Sequence, residues 1–284
     1  MRLYYYEGED GVRNFGDELN PFLWSRLLPD LDQRGSPDWL FVGIGTLLND
    51  SLPTAARTIV FGSGVGYGTA VPRPDETWRV HFVRGPRSAA ALGLPSSAGL
   101  TDPAILVSGV WRERAATRTR HAFMPHWDSA NEWIEGVCRD ADIGYIDPRW
   151  PVERVLRAIS ETEVLLAEAM HGAIVADALR IPWIPVCSTP GVLPFKWLDW
   201  CNSVGLNYVP QTMVPIWAPS GDRALARARA YTKRTIVSRQ LKGIIHRARP
   251  CLSADQTWKD LRAGVEGKLD EFRAETEFPA PPPW

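Results

Sequence analysis

Cysteine is scarce in this 284-residue chain. Cys138, Cys187, Cys201 and Cys251 lie far apart and form no Cys-x-x-Cys pair, so neither a structural zinc site nor a disulfide framework is expected. Long apolar runs are missing as well. No stretch is long enough to span a bilayer, and the opening MRLYYYEGED lacks the basic segment and apolar run of a signal peptide. A reduced, cytoplasmic protein is the expectation. Charge of one sign is not in excess either: 32 Lys and Arg face 33 Asp and Glu, for a net charge of -1, so no nucleic-acid partner is expected. Several motifs are also lacking. There is no P-loop, Gly43-Ile44-Gly45 lacks the third glycine of a dinucleotide fingerprint, and no Gly-x-Ser-x-Gly elbow occurs. Asp30-Leu31-Asp32 follows an amphipathic helix in a Pro-containing turn, where acids face solvent, so no metal site is expected.

What remains is ordinary globular composition, 45% apolar and 23% charged, in a chain long enough for two cores. Short apolar runs at 2–6, 39–44, 59–61 and 80–83 read as strands, and the later ones open into small or basic residues: Gly45-Thr46, Gly62-Ser63-Gly64 and Arg84-Gly85-Pro86-Arg87. Between the first two lies a helix with Leu19, Phe22, Leu23, Leu27 and Leu28 on one stripe, which Asp17 can cap. A last apolar segment, 104–107, precedes a charged linker at 111–120. A second series follows, with strands at 121–125, 143–146, 163–167 and 184–186 and helices at 130–138, 152–159, 172–179 and 195–201.

This alternation predicts an α/β fold of parallel sheets flanked by helices. The expected domains are 1–112, 121–218 and a helical C-terminal extension, 219–284. Residues 223–249 hold nine Lys or Arg and no acid, with Leu225, Val237, Leu241, Ile244 and Ile245 on one stripe. Such a helix either docks its apolar stripe and solvates its basic face, or meets anionic lipid headgroups. The tail at 279–284 reads as extended.

The chemistry-bearing stretch is 163–188. It reads as strand, helix, strand, with Glu168 and His171 at the turn, where ligands of open α/β sheets bind, and with Gly172 allowing close backbone approach. If both halves face one cleft, the strand ends contribute Asp17, Ser63, Arg84, Arg87, His126, Trp127, Glu168, His171 and Lys196. Arginines there would hold an anionic substrate, while the acids, His126 and Trp127 would hold a polyhydroxy one. For Asp17, Asp102 and Ser129, helix capping is an equal reading.

Together, Asn14-x-Gly16-Asp17, the glycine loops with Gly45-Thr46 and Ser63-Gly64, Arg84-Gly85-Pro86 with Asp102-Pro103, and Met170-His171-Gly172-Ala173 resemble the polysaccharide pyruvyl transferase family, in its bacterial succinoglycan-type ketal branch. The resemblance runs from about residue 2 to residue 200. It implies a GT-B-like pair of Rossmann-like domains facing across a cleft. The implied activity moves the enolpyruvyl group of phosphoenolpyruvate onto a sugar, usually on a lipid-linked oligosaccharide, to form a cyclic ketal and release phosphate. No cofactor beyond that donor is implied. His171 matches the catalytic histidine and Arg84 a donor-binding basic position, whereas Ala169 replaces an arginine that many members carry, which leaves Lys196 as a substitute. A nucleotide-sugar glycosyltransferase of the same fold and a glycan-binding protein without catalysis are the alternatives. A lipid-linked acceptor and the basic helix would place the protein at the inner face of the plasma membrane.

Overall fold

A computed structural model describes residues 1–8, 11–113, 119–189, 192–216 and 224–275. In chain order the elements are β1 (Arg2–Tyr4), α1 (Phe15–Leu27), β2 (Trp39–Val42), β3 (Arg57–Phe61), β4 (Trp78–Phe82), α2 (Pro86–Ala91) and α3 (Val107–Val110). They continue with β5 (Thr119–Met124), α4 (Glu132–Ala141), β6 (Gly144–Tyr145), α5 (Val152–Ser160), β7 (Thr162–Ala167), α6 (Met170–Ala178) and β8 (Trp183–Cys187). The last are α7 (Pro194–Ser203), β9 (Gln211–Thr212), α8 (Ala224–Arg247) and α9 (Asp255–Ala274). Two all-parallel sheets result, ordered β1-β2-β3-β4 and β6-β5-β7-β8-β9, which is the α/β architecture of the sequence reading.

The chain does not divide contiguously. One compact unit comprises Met1–Arg112, Leu193–Tyr208 and Ser253–Trp284, and the other Glu113–Val192 and Val209–Leu252. Beside the expected 1–112, 121–218 and 219–284, this division puts α7 in the first unit, α8 in the second and α9 in the first. Of the expected linker, 114–118 lie outside the described residues, as does the tail at 279–284.

In the first unit the expected strand–helix alternation fails after β2. The crossovers to β3 and β4 carry no helix among the described residues, because Gly43, Gly45 and Pro53, then Gly62, Gly64, Gly66, Gly68, Pro72 and Pro74, interrupt any helical run. The loops pair with each other instead, Gly64 N donating to Gly45 O and Leu48 N to Gly64 O. The apolar segment at 104–107 is also not a strand. Asp102 caps it through Ala104 N at 2.9 Å, and Pro103–Leu106 coil into a 3₁₀ turn leading into α3.

The first core is aromatic. Phe41 of β2 stacks with Phe61 of β3, Trp24 of α1 meets both edge-on, and Phe272 of α9 closes over Phe41, Phe61 and His81. The second core is aliphatic: Phe123, Leu166, Ile184 and Val186 from the strands, Ile134 and Val137 from α4, and Val237, Leu241 and Ile244 from α8. The apolar stripe of the basic helix is thus docked, each such side chain contributing about 1.5–3 kcal/mol. The side chain of Leu225 lies outside the described residues.

His81 gives the first unit a pH dependence. Burial among Phe61 and Phe272 pushes its imidazole down to about 4, against the pull of Glu275, with Arg79 and Lys268 lowering it further and Glu271 raising it. A folded-state value below the unfolded one means that stability is complete above the ordinary value near ~6.5 and is lost as the pH falls toward 4, by roughly 3 kcal/mol. Denaturant unfolding between pH 7 and 4 should therefore show a shallower loss for His81→Phe than for wild type. Equal slopes would remove His81 from the account.

Candidate active site

The second sheet has the strand order that creates a crevice. From β5 the chain steps out to β6, then returns to place β7 on the other side of β5 and continues outward, so the connections diverge between the carboxyl ends of β5 and β7. His126 follows β5 and Glu168 to His171 follow β7, at the two lips of that crevice. Glu168 is 1% exposed, and its carboxylate accepts from His126 N at 3.0 Å, Ser188 N at 2.7 Å and Ser188 Oγ at 2.6 Å. It therefore ties the ends of β5, β7 and β8 together. Both oxygens of this carboxylate, expected to meet a polyhydroxy substrate, serve protein donors.

His171 is the second residue of α6 and is half-buried. Ala169, at the helix N-cap, supplies no capping side chain. Gly172 does not open space for a ligand. A Cβ there would come within 2.6 Å of Met124 Sδ, so this glycine lets α6 pack against the end of β5. His126 is half-buried, with its Nδ1 2.6 Å from Asp128 Oδ1 and its ring 5.9 Å from that of Trp127. Asn131, and not Ser129, caps α4, accepting from Ile134 N.

Beyond β6 on the same edge, Asp147 accepts from Arg149 N, Nε and Nη2 and from the Tyr145 hydroxyl. Burial raises the Asp147 carboxyl, but the Arg149 bonds outweigh it and hold it below the usual carboxylate range; burial and Asp147 push the Tyr145 phenol up. Arg149 is thereby locked at the rim of this sheet.

In the first unit the predicted residues separate into local devices. Asn14 caps α1 through Gly16 N and donates Nδ2 to Asp17 Oδ2 at 2.6 Å, so the cap is Asn14 and Asp17 lies in the first turn. Ser63 is fully buried and bridges the loops, donating to Gly45 O and accepting from Leu47 N. Gly45 has φ 126°, which a side chain would resist. Arg84 is fully buried. Its guanidinium donates to Asp199 Oδ2 at 3.2 Å, Thr46 Oγ1 at 2.7 Å and Val65 O at 2.9 Å. Gly64 lies against it so closely that a Cβ would meet its Cζ at 2.3 Å. Arg84, expected to bind the donor, clamps the glycine loops.

Arg84 and Arg87, expected to hold an anionic substrate, lie at the first turn of α2. That turn holds an anion from the protein. Asp199 of α7, also fully buried, accepts from Arg87 N at 2.9 Å, Ser88 N at 3.0 Å and Ser88 Oγ at 2.5 Å. Gly85 has no room for a side chain because Asp199 O lies 2.3 Å from where its Cβ would be. The exposed Arg87 side chain donates to Asn202. Lys196, 9% exposed, donates Nζ to the Tyr67 hydroxyl at 2.5 Å. Sequence reasoning missed Asp199, which no local signal ties to Arg84, and Asn20, whose amide brackets Ile44 with bonds of 2.8 and 2.9 Å. It also missed Asp128, for which the His-x-Asp spacing was an available signal. Among the described residues no group of three or more His, Cys, Asp or Glu is placed to hold a metal. No helix among them is long and apolar enough to cross a membrane.

The family model described as polysaccharide pyruvyl transferase matches residues 14–188. The chain belongs to this family. A relative from Rhizobium meliloti (strain 1021), succinoglycan biosynthesis protein ExoV, is 40% identical over 220 residues, covering 76% of this chain and 68% of its own. A solved structure of the wall teichoic acid polymerase TagF covers 83% of this chain and 74% of its own at 8% identity and a TM-score of 0.32, a likeness on which no argument rests. The family match spans both lips of the crevice as well as the Arg84 clamp.

Asp199→Ala should strand the Arg84 guanidinium without its counter-charge and destabilise the protein by about 3–5 kcal/mol in denaturant unfolding. The double replacement Arg84→Met, Asp199→Leu should recover part of that loss. A single-site cost below about 1 kcal/mol would show that the pair does not hold the fold.

Proposed function

We propose that this pyruvyl transferase moves the enolpyruvyl group of phosphoenolpyruvate onto two hydroxyls of one sugar in a lipid-linked exopolysaccharide repeat unit, forming a cyclic ketal and releasing phosphate. Family membership and the name of the succinoglycan relative support the reaction class. The observation that carries the residue assignment is the place of His171, in the first turn of α6 at the β5/β7 crevice.

The chemistry sets what the site must do. A sugar hydroxyl adds to C2 of the enol ether while C3 receives a proton, after which a second hydroxyl displaces phosphate at C2. His171 is the acid for C3, an aid worth on the order of 10² to 10⁴ in rate. Arg149, fixed by Asp147 at the same edge, meets the donor phosphate or carboxylate in this reading. The donor arrives already activated, so the reading takes no further cofactor.

Phosphoenolpyruvate at ~100 times its dissociation constant should stabilise the wild type by roughly 2.7 kcal/mol in a thermal shift, with UDP-glucose and GDP-mannose giving none. His171→Ala should keep that shift while losing phosphate release with a pyruvate-free succinoglycan oligosaccharide. Stabilisation by a sugar nucleotide alone would make the protein a glycosyltransferase. Glycan binding indifferent to phosphoenolpyruvate, without phosphate release, would make it a binding protein.

The lipid-linked part of the reading draws on α8. Opposite its docked stripe it exposes Arg229, Arg239, Lys242 and Arg247 beside Tyr231, 75% exposed, and Ile236, 45% exposed. A face of cations with protruding apolar groups suits an anionic headgroup layer at the inner face of the plasma membrane. Sedimentation with phosphatidylglycerol vesicles should fall as salt rises and drop at least several-fold in Arg239→Glu, Lys242→Glu. Equal binding to neutral phosphatidylcholine vesicles would discard this contact.

A further inference from the structure

We infer that His126, oriented by Asp128, is a second acid–base residue of the transfer, working opposite His171; this rests on the pyruvyl transferase reading above. The reaction requires two such groups. Adding a hydroxyl across the C2–C3 double bond brings a proton in at C3 and takes one out at the hydroxyl oxygen. Those are different atoms of the reacting pair, and one histidine cannot serve both at once.

Three independent observations place His126 in the role. It follows the central strand β5 at the crevice where the chain connections diverge, with His171 on the opposite lip after β7. Its backbone is pinned there, because His126 N donates to the buried Glu168, the residue three positions before His171. Its ring is oriented, because Asp128 Oδ1 lies 2.6 Å from Nδ1 and Ser129 Oγ in turn donates to that carboxylate oxygen at 3.2 Å. A carboxylate can only accept, so in the neutral imidazole Nδ1 carries the proton and Nε2 is the basic nitrogen. No hydrogen bond occupies that Nε2 among the described residues.

The proton balance closes on these two groups. In the first step the sugar oxygen bonds to C2, its proton passes to His126 Nε2, and protonated His171 delivers a proton to C3, converting the methylene to a methyl. His126 is then charged and His171 neutral. In the second step His171 takes the proton of the second hydroxyl as that oxygen bonds to C2. The C2–O bond to phosphate breaks with its electron pair on phosphate, which receives the proton from His126. Both histidines return to their starting states, and of the two hydroxyl protons one is balanced by the methyl group and one by the released phosphate. His126 is thus a catalytic residue and Asp128 a positioning residue.

The test measures steady-state phosphate release from phosphoenolpyruvate with pyruvate-free succinoglycan oligosaccharide for wild type, His126→Gln, Asp128→Asn and the double variant. His126→Gln should lower kcat at least 100-fold, with the phosphoenolpyruvate thermal shift retained. Asp128→Asn should lower kcat about 10-fold with little change in KM, and the double variant should be no worse than His126→Gln, since Asp128 acts through the imidazole. A His126→Gln kcat within threefold of wild type, or losses that multiply, overturns the inference. Absence of turnover by the wild type would instead count against the reaction assigned above. A second measurement needs no acceptor: in ¹⁵N-histidine-labelled protein, the His126 signal, identified by its loss in His126→Gln, should show the Nδ1–H tautomer and move on addition of phosphoenolpyruvate. An Nε2–H tautomer, or a signal indifferent to the donor, overturns the inference whatever the acceptor.

Discussion

The hydrogen bonds that Glu168 accepts from His126 N, Ser188 N and Ser188 Oγ solve the problem on which the rest of the second unit depends. Parallel strands that end together leave backbone NH groups facing one edge, and the chain must turn there without helix or sheet partners. A buried carboxylate that can accept several bonds satisfies those groups and fixes the relative heights of three loops at once. The first unit solves the same problem with Asp199, which takes Arg87 N and Ser88 N at the start of α2 and the Arg84 guanidinium besides. In both cases burial makes the arrangement unforgiving. Removing the acid leaves donors that water cannot reach, and adding a side chain at Gly64, Gly85 or Gly172 drives atoms into the clamp or its neighbours.

Asp199 also explains why the chain is interleaved. It belongs to α7, which follows the last long strand of the second unit yet packs in the first, where Trp197 is buried against Tyr208 and Ser203 bonds Thr101. The first sheet has few helices of its own, since the crossovers between β2, β3 and β4 are glycine and proline loops. Two helices from later in the chain supply what those crossovers lack. α7 provides the counter-charge for Arg84, and α9 places Phe272 over Phe41 and Phe61. A sheet built from short strands and loops is thus completed by segments more than 100 positions away in sequence, a separation that local patterning cannot reveal.

That distance marks the limit of what was legible. Apolar runs located β1 to β8 to within a few residues but not β9, whose Gln211–Thr212 is polar, and Met170-His171-Gly172 was read as a turn at a strand end because a buried run meets a helical period there. The 104–107 segment was left without an element, since a short apolar run is shared by strands and buried helical turns and only the Asp102-Pro103 cap separates them. The site was legible in membership more than in role. Arg84, Glu168 and Gly172 were rightly placed at strand ends, but a sequence does not show that Asp199 comes to Arg84, that Ser188 and His126 come to Glu168, or that Met124 fills the space beside Gly172. Residue type points to chemistry; the partner brought by the fold decides whether that chemistry faces a ligand or the backbone.

The partners divide the candidate residues into two kinds. Asn14, Ser63, Gly64, Arg84, Glu168 and Gly172 all have their polar atoms or their space taken by named protein groups, so their work is geometric. His126 is different, because the carboxylate beside it engages only one ring nitrogen and thereby leaves the other basic. The strand orders point the same way. The first sheet runs β1 to β4 without reversal, whereas the second reverses at β5, and a reversal is where loops of adjacent strands part to admit a ligand. A histidine stands at each lip of that crevice, His126 after β5 and His171 after β7. Glu168 bonds the loop after β5 and itself begins the turn after β7, so one buried carboxylate sets the spacing of both. The clamps are then the means by which a parallel sheet, whose loops would otherwise be the least fixed part of the structure, holds the loops after β5 and β7 in register.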